Sequence, residues 1–289
     1  MENYKKLVTI LSAISVVSIL VISLTGIIAD DGGDPYFFTS LRGQEVEIYG
    51  GQGPYQYDSV YKAVAIRGYD WVNLVVSLPL LVLGIYLYRG GRLKGQLLLA
   101  AVFYHFAWNY FIALMGNAFN ILFLAYATLF SASLFGLFFI LRDLDFSSLP
   151  KKLEKGFPRR SLAVYMLIAG LYLLFSYSAQ VISAYLSGNP PVSLEIYTTL
   201  ELAALEFGLT IPLMIVGAVL LWRRKTGGYI ITTLLVVTAS LTFLSLGVSH
   251  MLMYVSYQTS GLSDIAMLAV FAAVSIGFTA IIFKRVEEK

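Results

Sequence analysis

Cysteine is absent, so no disulfide can staple a loop of this chain and no thiolate can serve as nucleophile or metal ligand. Zero cysteine fits either redox state and does not choose between compartments. Histidine is nearly absent too, with only His105 and His250 in 289 residues. The two fall on different apolar runs, several turns apart in depth. That argues against paired haem ligation or a zinc site, both of which need convergent ligands. Neither H-E-x-x-H nor G-x-S-x-G occurs, so two common signatures of hydrolytic chemistry are missing. Gly50-Gly51-Gln52-Gly53-Pro54 lacks a following Lys-Ser/Thr and helix, and Pro54 offers no N–H, which excludes a phosphate loop. Charge is scarce as well. Asp, Glu, Lys and Arg make up 13% of the chain, about half of the ~25% usual in soluble domains. No cofactor and no metal is expected.

What is there is apolar. Hydrophobic residues supply 58% of the chain, and its mean hydropathy is +0.77. A hydrocarbon core about 30 Å thick needs roughly 20 apolar residues per helix. Eight runs meet that length, at about 7–29, 70–88, 96–116, 120–141, 161–187, 197–222, 229–254 and 263–283. The alternating segments of about ten residues that mark a β-barrel are not the pattern here. The predicted fold class is an all-α integral membrane protein of eight transmembrane helices, a single transmembrane domain over 1–289 with no room for a soluble one. The first run, about 23 residues, exceeds the 7–15 of a signal peptide, and Ile27-Ile28-Ala29 is a poor cleavage site. A retained first helix is expected.

With the N-terminus inside, 17 of the 20 Lys and Arg fall on the cytoplasmic side, and only Arg42, Lys62 and Arg67 lie outside. This asymmetry predicts cytoplasmic termini and an extracytoplasmic 30–69 loop in the cell membrane. The pI of 8.9 is then a signature of orientation, not a nucleic-acid patch. The basic turns suit anionic lipid head groups.

Residues 146–160, FSSLPKKLEKGFPRR, carry Pro150 and Pro158 and divide the helices four and four. Both halves start inside, as parallel repeats about the membrane normal would. Loose symmetry accompanies this division. The second helix has Asp70, Pro79 and Arg89; the sixth has Glu206, Pro212 and Arg223-Arg224. The acid-to-proline spacing is nine residues in one and six in the other. Each feature is common singly in membrane helices, so chance similarity stands beside a true 4+4 repeat.

Four stretches carry a family resemblance: Leu41-Arg42-Gly43 leading to EVEIYG, RGYDWVNLVVSLPLLVLGIYLYRGG at 67–91, NAFNILFLAYATLFSASLF at 117–135 and LEFGLTIPLMIVGAVLLWRRKTGGY at 205–229. Together they resemble a family of multi-pass membrane proteins of bacteria and archaea that carries no assigned activity. The family motif before the second proline reads Asp-Leu-Gly, where this chain has Glu206-Phe207-Gly208. The resemblance implies the architecture and draws attention to Asp70, Asn120 and Glu206.

An ionisable group at the bilayer centre costs about 2.5–3.5 kcal/mol, which makes it a functional candidate by default. Glu206 lies roughly 24 Å up its helix from Trp222 at 1.5 Å per residue, within reach of an outer vestibule. A structural hydrogen bond is its competing role. Glu201 and Asp70 lie nearer the interface. Asp70 is expected chiefly as a helix N-cap, and Asp264 likewise. His105 and Asn109 are one turn apart and would share a polar stripe, serving a relay or, more plainly, a hydrogen bond to a neighbouring helix. His250 sits near the outer end of the seventh helix. Ser176, Gln180, Ser183 and Ser187 form one small-polar stripe; Thr238, Thr242, Ser245 and Ser249 form another. Such stripes serve helix packing or line a polar pathway. Pro79 and Pro212 would break or bend their helices and expose carbonyls to such a cavity. Asp143 and Asp145 read as a solvated turn beside Lys151 and Lys152.

Three functions stay open. The first is a transporter or channel for a small solute or ion, cation- or proton-linked, because 11 of the 17 carboxylates lie on the outer side. The second is a sensor or assembly module binding a ligand or partner through loop 30–69. The third is a membrane-embedded enzyme acting on lipid or quinone. In that loop, Val46 and Ile48 alternate on one side of the glycine run, with Tyr55 and Tyr57 on the other. This predicts a small β-hairpin between the two segments, capping the bundle or acting as a lid through Tyr49, Tyr55 and Tyr57. Residues 59–67 would form a short interfacial helix.

Overall fold

The structure is a computed structural model, described over residues 2–29, 31–146, 156–258 and 260–287. Most of the 146–160 connection lies outside the described residues. Eight helices are long and apolar enough to cross a membrane: α1 (Glu2–Ile28), α2 (Val60–Arg89), α3 (Leu93–Gly116), α4 (Phe123–Asp143), α5 (Arg159–Ser187), α6 (Glu201–Trp222), α7 (Thr226–Ser256) and α8 (Leu262–Arg285). The described chain thus has the architecture of a multi-pass membrane protein. The most buried helices, α3 and α7, form its centre. Around them, α1 packs on α4, α2 bridges α3 and α7, and α5 and α8 flank the α6–α7 pair. Residues 31–59 cover one end of the bundle, called here the loop end.

The second helix starts ten residues earlier than its apolar run. Ser59 is the N-cap, its Oγ accepting from the Lys62 N–H at 3.2 Å, so 59–67 is no separate interfacial helix. Two cations made this segment look like loop, and tertiary partners answer both. Lys62 pairs with Glu201, and Arg67 donates to the Tyr49 hydroxyl at 3.0 Å. The apolar side of these turns, with Val60, Ala63 and Val64, packs with Tyr49, Tyr55 and Met253 in a small second core. Asp70 therefore stands in the middle of α2 and caps nothing. It is buried and accepts a hydrogen bond from the Tyr55 hydroxyl at 2.5 Å.

The hairpin exists with a different partner strand. β1 (Tyr36–Thr39) pairs antiparallel with β2 (Glu45–Ile48), Tyr36 opposite Ile48. The segment around Tyr55 and Tyr57, expected as the second strand, is turn and bend. Gly50, Gly51 and Gly53 all have positive φ (68°, 67° and 124°), which ends the extended run. The chain then folds back so that Tyr55 points into the bundle.

Both prolines sit in continuous helices. Each follows a five-residue π turn, Asn73–Ser77 in α2 and Glu206–Thr210 in α6. A proline has no N–H for the carbonyl four residues earlier, and the wider π turn re-pairs the backbone: the N–H of Leu78 reaches Asn73 O, and that of Ile211 reaches Glu206 O. The two helices correspond at a constant offset of 133 residues. Pro79 matches Pro212, Gly84 matches Gly217 and Gly95 matches Gly228. Gly91 (φ 72°) matches Arg224 (φ 57°) in the following turn. The turn bonds agree as well: Arg92 N–H donates to Leu87 O at 3.0 Å, and Lys225 N–H to Leu220 O at 2.8 Å. At this offset the partner of Glu206 is Asn73, not Asp70.

Candidate functional site

A cavity of about 1410 Å³ opens at the loop end between α2, α3, α5, α6, α7 and α8, beneath the α5–α6 connection. Its walls are largely apolar and aromatic. At its inner end Met214 and Leu235 line it. Beyond them the core formed by Leu97, Leu221, Phe157 and Tyr229 closes the bundle, the last two rings 5.0 Å apart.

Glu206 opens the π turn of α6 and faces this cavity at 6% exposure. Its Oε2 has no hydrogen-bond partner among the described residues. Other buried lining groups are in the same condition, among them the Tyr104 hydroxyl and the Thr238 Oγ1. One turn beyond Tyr104, Trp108 donates its indole N–H to Thr210 Oγ1 at 3.2 Å, which ties α3 to the end of the π turn carrying Glu206.

Of the sequence-predicted residues, Asp70, Asn109, Gln180 and Glu201 also line the cavity. Gln180 accepts from Ser193 Oγ at 3.0 Å. His105 does not line it. Its ring lies 3.3 Å from Asn73 Oδ1, fully buried between α2 and α3, so His105 and Asn109 form no shared stripe. The α7 stripe divides in the same way. Thr238 and Thr242 line the cavity, whereas Ser249 bonds Ala65 O at 3.0 Å in the contact with α2. His250 meets Ser260 at 2.8 Å, and Asn120 caps its own turn, accepting from Leu122 N–H at 2.9 Å. Among the lid candidates, Tyr49 and Tyr55 are buried and Tyr57 is exposed.

The rim of the cavity is a polar strap that sequence reasoning missed. Asp58 Oδ1 accepts from the Tyr197 hydroxyl and from Ala118 N–H, each at 2.8 Å. Ser59 Oγ donates to Glu195 at 2.6 Å. Lys62 bonds Glu201 and lies 4.6 Å from the Tyr197 ring. These contacts bind the 57–62 segment to the α5–α6 connection and the α3–α4 turn. Burial pushes the Asp58 carboxyl up to about 6, against the pull of Ala118 N–H, the Tyr197 hydroxyl and Lys62. Burial also raises Glu195. No local motif announces the strap, because its members lie up to 139 residues apart. The i, i+4 spacing of Tyr104 and Trp108 was the one available signal for the inner wall.

Compared with protein-family models, curated proteins and solved structures, the chain matches none. Its function is therefore argued from the site itself.

Proposed function

We propose that the protein is a transporter of the cell membrane, moving a small solute or ion through a cavity that faces outward in this conformation. The observation that carries this reading is a carboxylate with a free oxygen facing a cavity open at one end and closed at the other. The distribution of Lys and Arg supports cytoplasmic termini and an extracytoplasmic 30–69 loop. The matched π turns, prolines and glycines support a parallel 4+4 repeat, whose halves could rock about the closed core. Proteoliposomes holding a pH-sensitive dye, given a proton or monovalent-cation gradient, test this. Flux above that of protein-free liposomes, lost in Glu206→Gln, is the expected result. Wild-type flux in that variant would remove Glu206 from the mechanism.

One observation favours a second reading, an assembly or sensing role for the loop. The hairpin holds Phe37 at 73% exposure and Leu41 at 90%, unusual for side chains in water. Removing 36–48 would then abolish binding of a partner while leaving flux intact.

A further inference from the structure

The contents of the cavity select a ligand chemistry. Four carboxylates line it, Asp70, Glu195, Glu201 and Glu206, against one basic residue among the described lining, Lys62. Three of the acids are answered: Asp70 by the Tyr55 hydroxyl, Glu195 by Ser59 and Glu201 by Lys62. Glu206 keeps a free oxygen, and the Tyr104 hydroxyl on the same cavity's wall is unpartnered too. An anion would meet uncompensated negative charge here, and a neutral apolar solute would leave the free Glu206 oxygen dry and without a partner. A hard divalent cation needs several oxygen ligands, and no three His, Asp or Glu converge among the described residues. One carboxylate surrounded by aromatic rings, with Tyr69, Tyr104, Trp108 and Tyr177 on the walls, matches an organic monocation. The ring faces attract positive charge.

The route in points to an apolar body on that cation. Tyr165 joins α5 to α8 through Ser275 Oγ at 2.9 Å and the Phe278 ring at 5.3 Å. Tyr165 itself lines the cavity, and toward the loop end from that contact Ile168 and Tyr172 of α5 and Val270 and Phe271 of α8 line it too. Ile168 and Tyr172 are 64% and 63% exposed, on a face that acyl chains would cover. We propose that the cavity binds an amphipathic organic ammonium, its cation on Glu206 and its apolar part between α5 and α8. This rests on the cavity being the substrate site and names the substrate class. A free lipophilic amine and an aminophospholipid head group share this chemistry.

The test is equilibrium binding to the full chain in nanodiscs, with empty nanodiscs as control. 4-Phenylbutylamine is compared with its neutral alcohol and its carboxylate. The amine is expected to bind saturably, with the other two at least about tenfold weaker, the loss expected when a charge-assisted hydrogen bond is removed. Glu206→Gln should bring the amine down to the level of the alcohol. Alcohol binding as tight as amine binding on the wild type overturns the proposal without any variant. So does retained amine affinity in Glu206→Gln, or absence of saturable binding. Weaker amine binding in phosphatidylethanolamine than in phosphatidylglycerol nanodiscs would assign the site to the head group, and equal binding to the free amine. Both outcomes uphold the ammonium site. Glu206-dependent binding without flux would keep this site and remove transport; Glu206-dependent flux of inorganic cations without amine binding would do the reverse.

Discussion

Asn73 and Glu206 hold the same place in two helices: each opens a five-residue π turn, and each stands six residues before a proline. The facing helices carry different residues at the matched position. Asn73 meets His105 at 3.3 Å. The residue 133 positions after His105 is Thr238, whose Oγ1 is unpartnered and faces the cavity. A ring fills the first position, and a smaller hydroxyl stands at the second, on the wall of the cavity that Glu206 also faces.

That difference predicts the behaviour of Thr238→His. The imidazole should pair with Glu206 as His105 pairs with Asn73. Thermal unfolding in detergent should show equal or higher stability, while amine affinity in nanodiscs falls by about tenfold or more, as expected when the charged partner is already engaged.

The matched glycines provide a test of the repeat. A Cβ at Gly95 would collide with the backbone of Leu87 and Tyr88, and one at Gly228 with that of Leu220 and Leu221. Gly95→Ala and Gly228→Ala should each cost about 1–3 kcal/mol, the usual range for forced overpacking. Similar losses in denaturant unfolding would fit matched turns, and a neutral effect at either site would count against them.

Tyr55→Phe removes the 2.5 Å hydrogen bond that anchors the loop to Asp70. Losing a donor to a buried carboxylate costs about 1–3 kcal/mol. Hydrogen exchange and limited proteolysis should show residues 49–58 opening first, with the transmembrane helices unchanged.

The strap makes stability depend on pH. Asp58 is fully buried, and its carboxyl is raised from the ordinary 3.8 to about 6. Between those values the folded state holds a proton that the unfolded state releases, so stability falls as pH rises from about 4 to 6 and stays lower above. A shift of about two units corresponds to roughly 3 kcal/mol. Glu195, also raised by burial, adds in the same direction, and Lys62 opposes both. Asp58→Asn keeps an acceptor for Tyr197 and Ala118. It should raise the melting temperature at pH 7.5 and flatten the profile between pH 4 and 6; an unchanged profile would count against this assignment.

Helix number and most of the helical path were legible because long apolar runs leave few alternatives. The start of α2 was not. Lys62 and Arg67 interrupt its apolar pattern; Glu201, 139 residues on, neutralises the first, and the Tyr49 hydroxyl accepts a hydrogen bond from the second. The role of Asp70 was misread for the same reason, since the cap that displaced it, Ser59, lies before the apolar run begins.

By itself the sequence determined a helical chain of membrane-spanning length, a glycine-broken loop at one end, and Glu206 as a carboxylate in an apolar run. These are local matters of hydropathy and backbone freedom. Only the tertiary structure decided which polar groups are answered. It gave Asp70, Glu195 and Glu201 donors from distant segments, placed His105 against Asn73, and left one oxygen of Glu206 unpartnered in a cavity. Pairing depends on which helices meet and at what depth, and hydropathy carries no information about either.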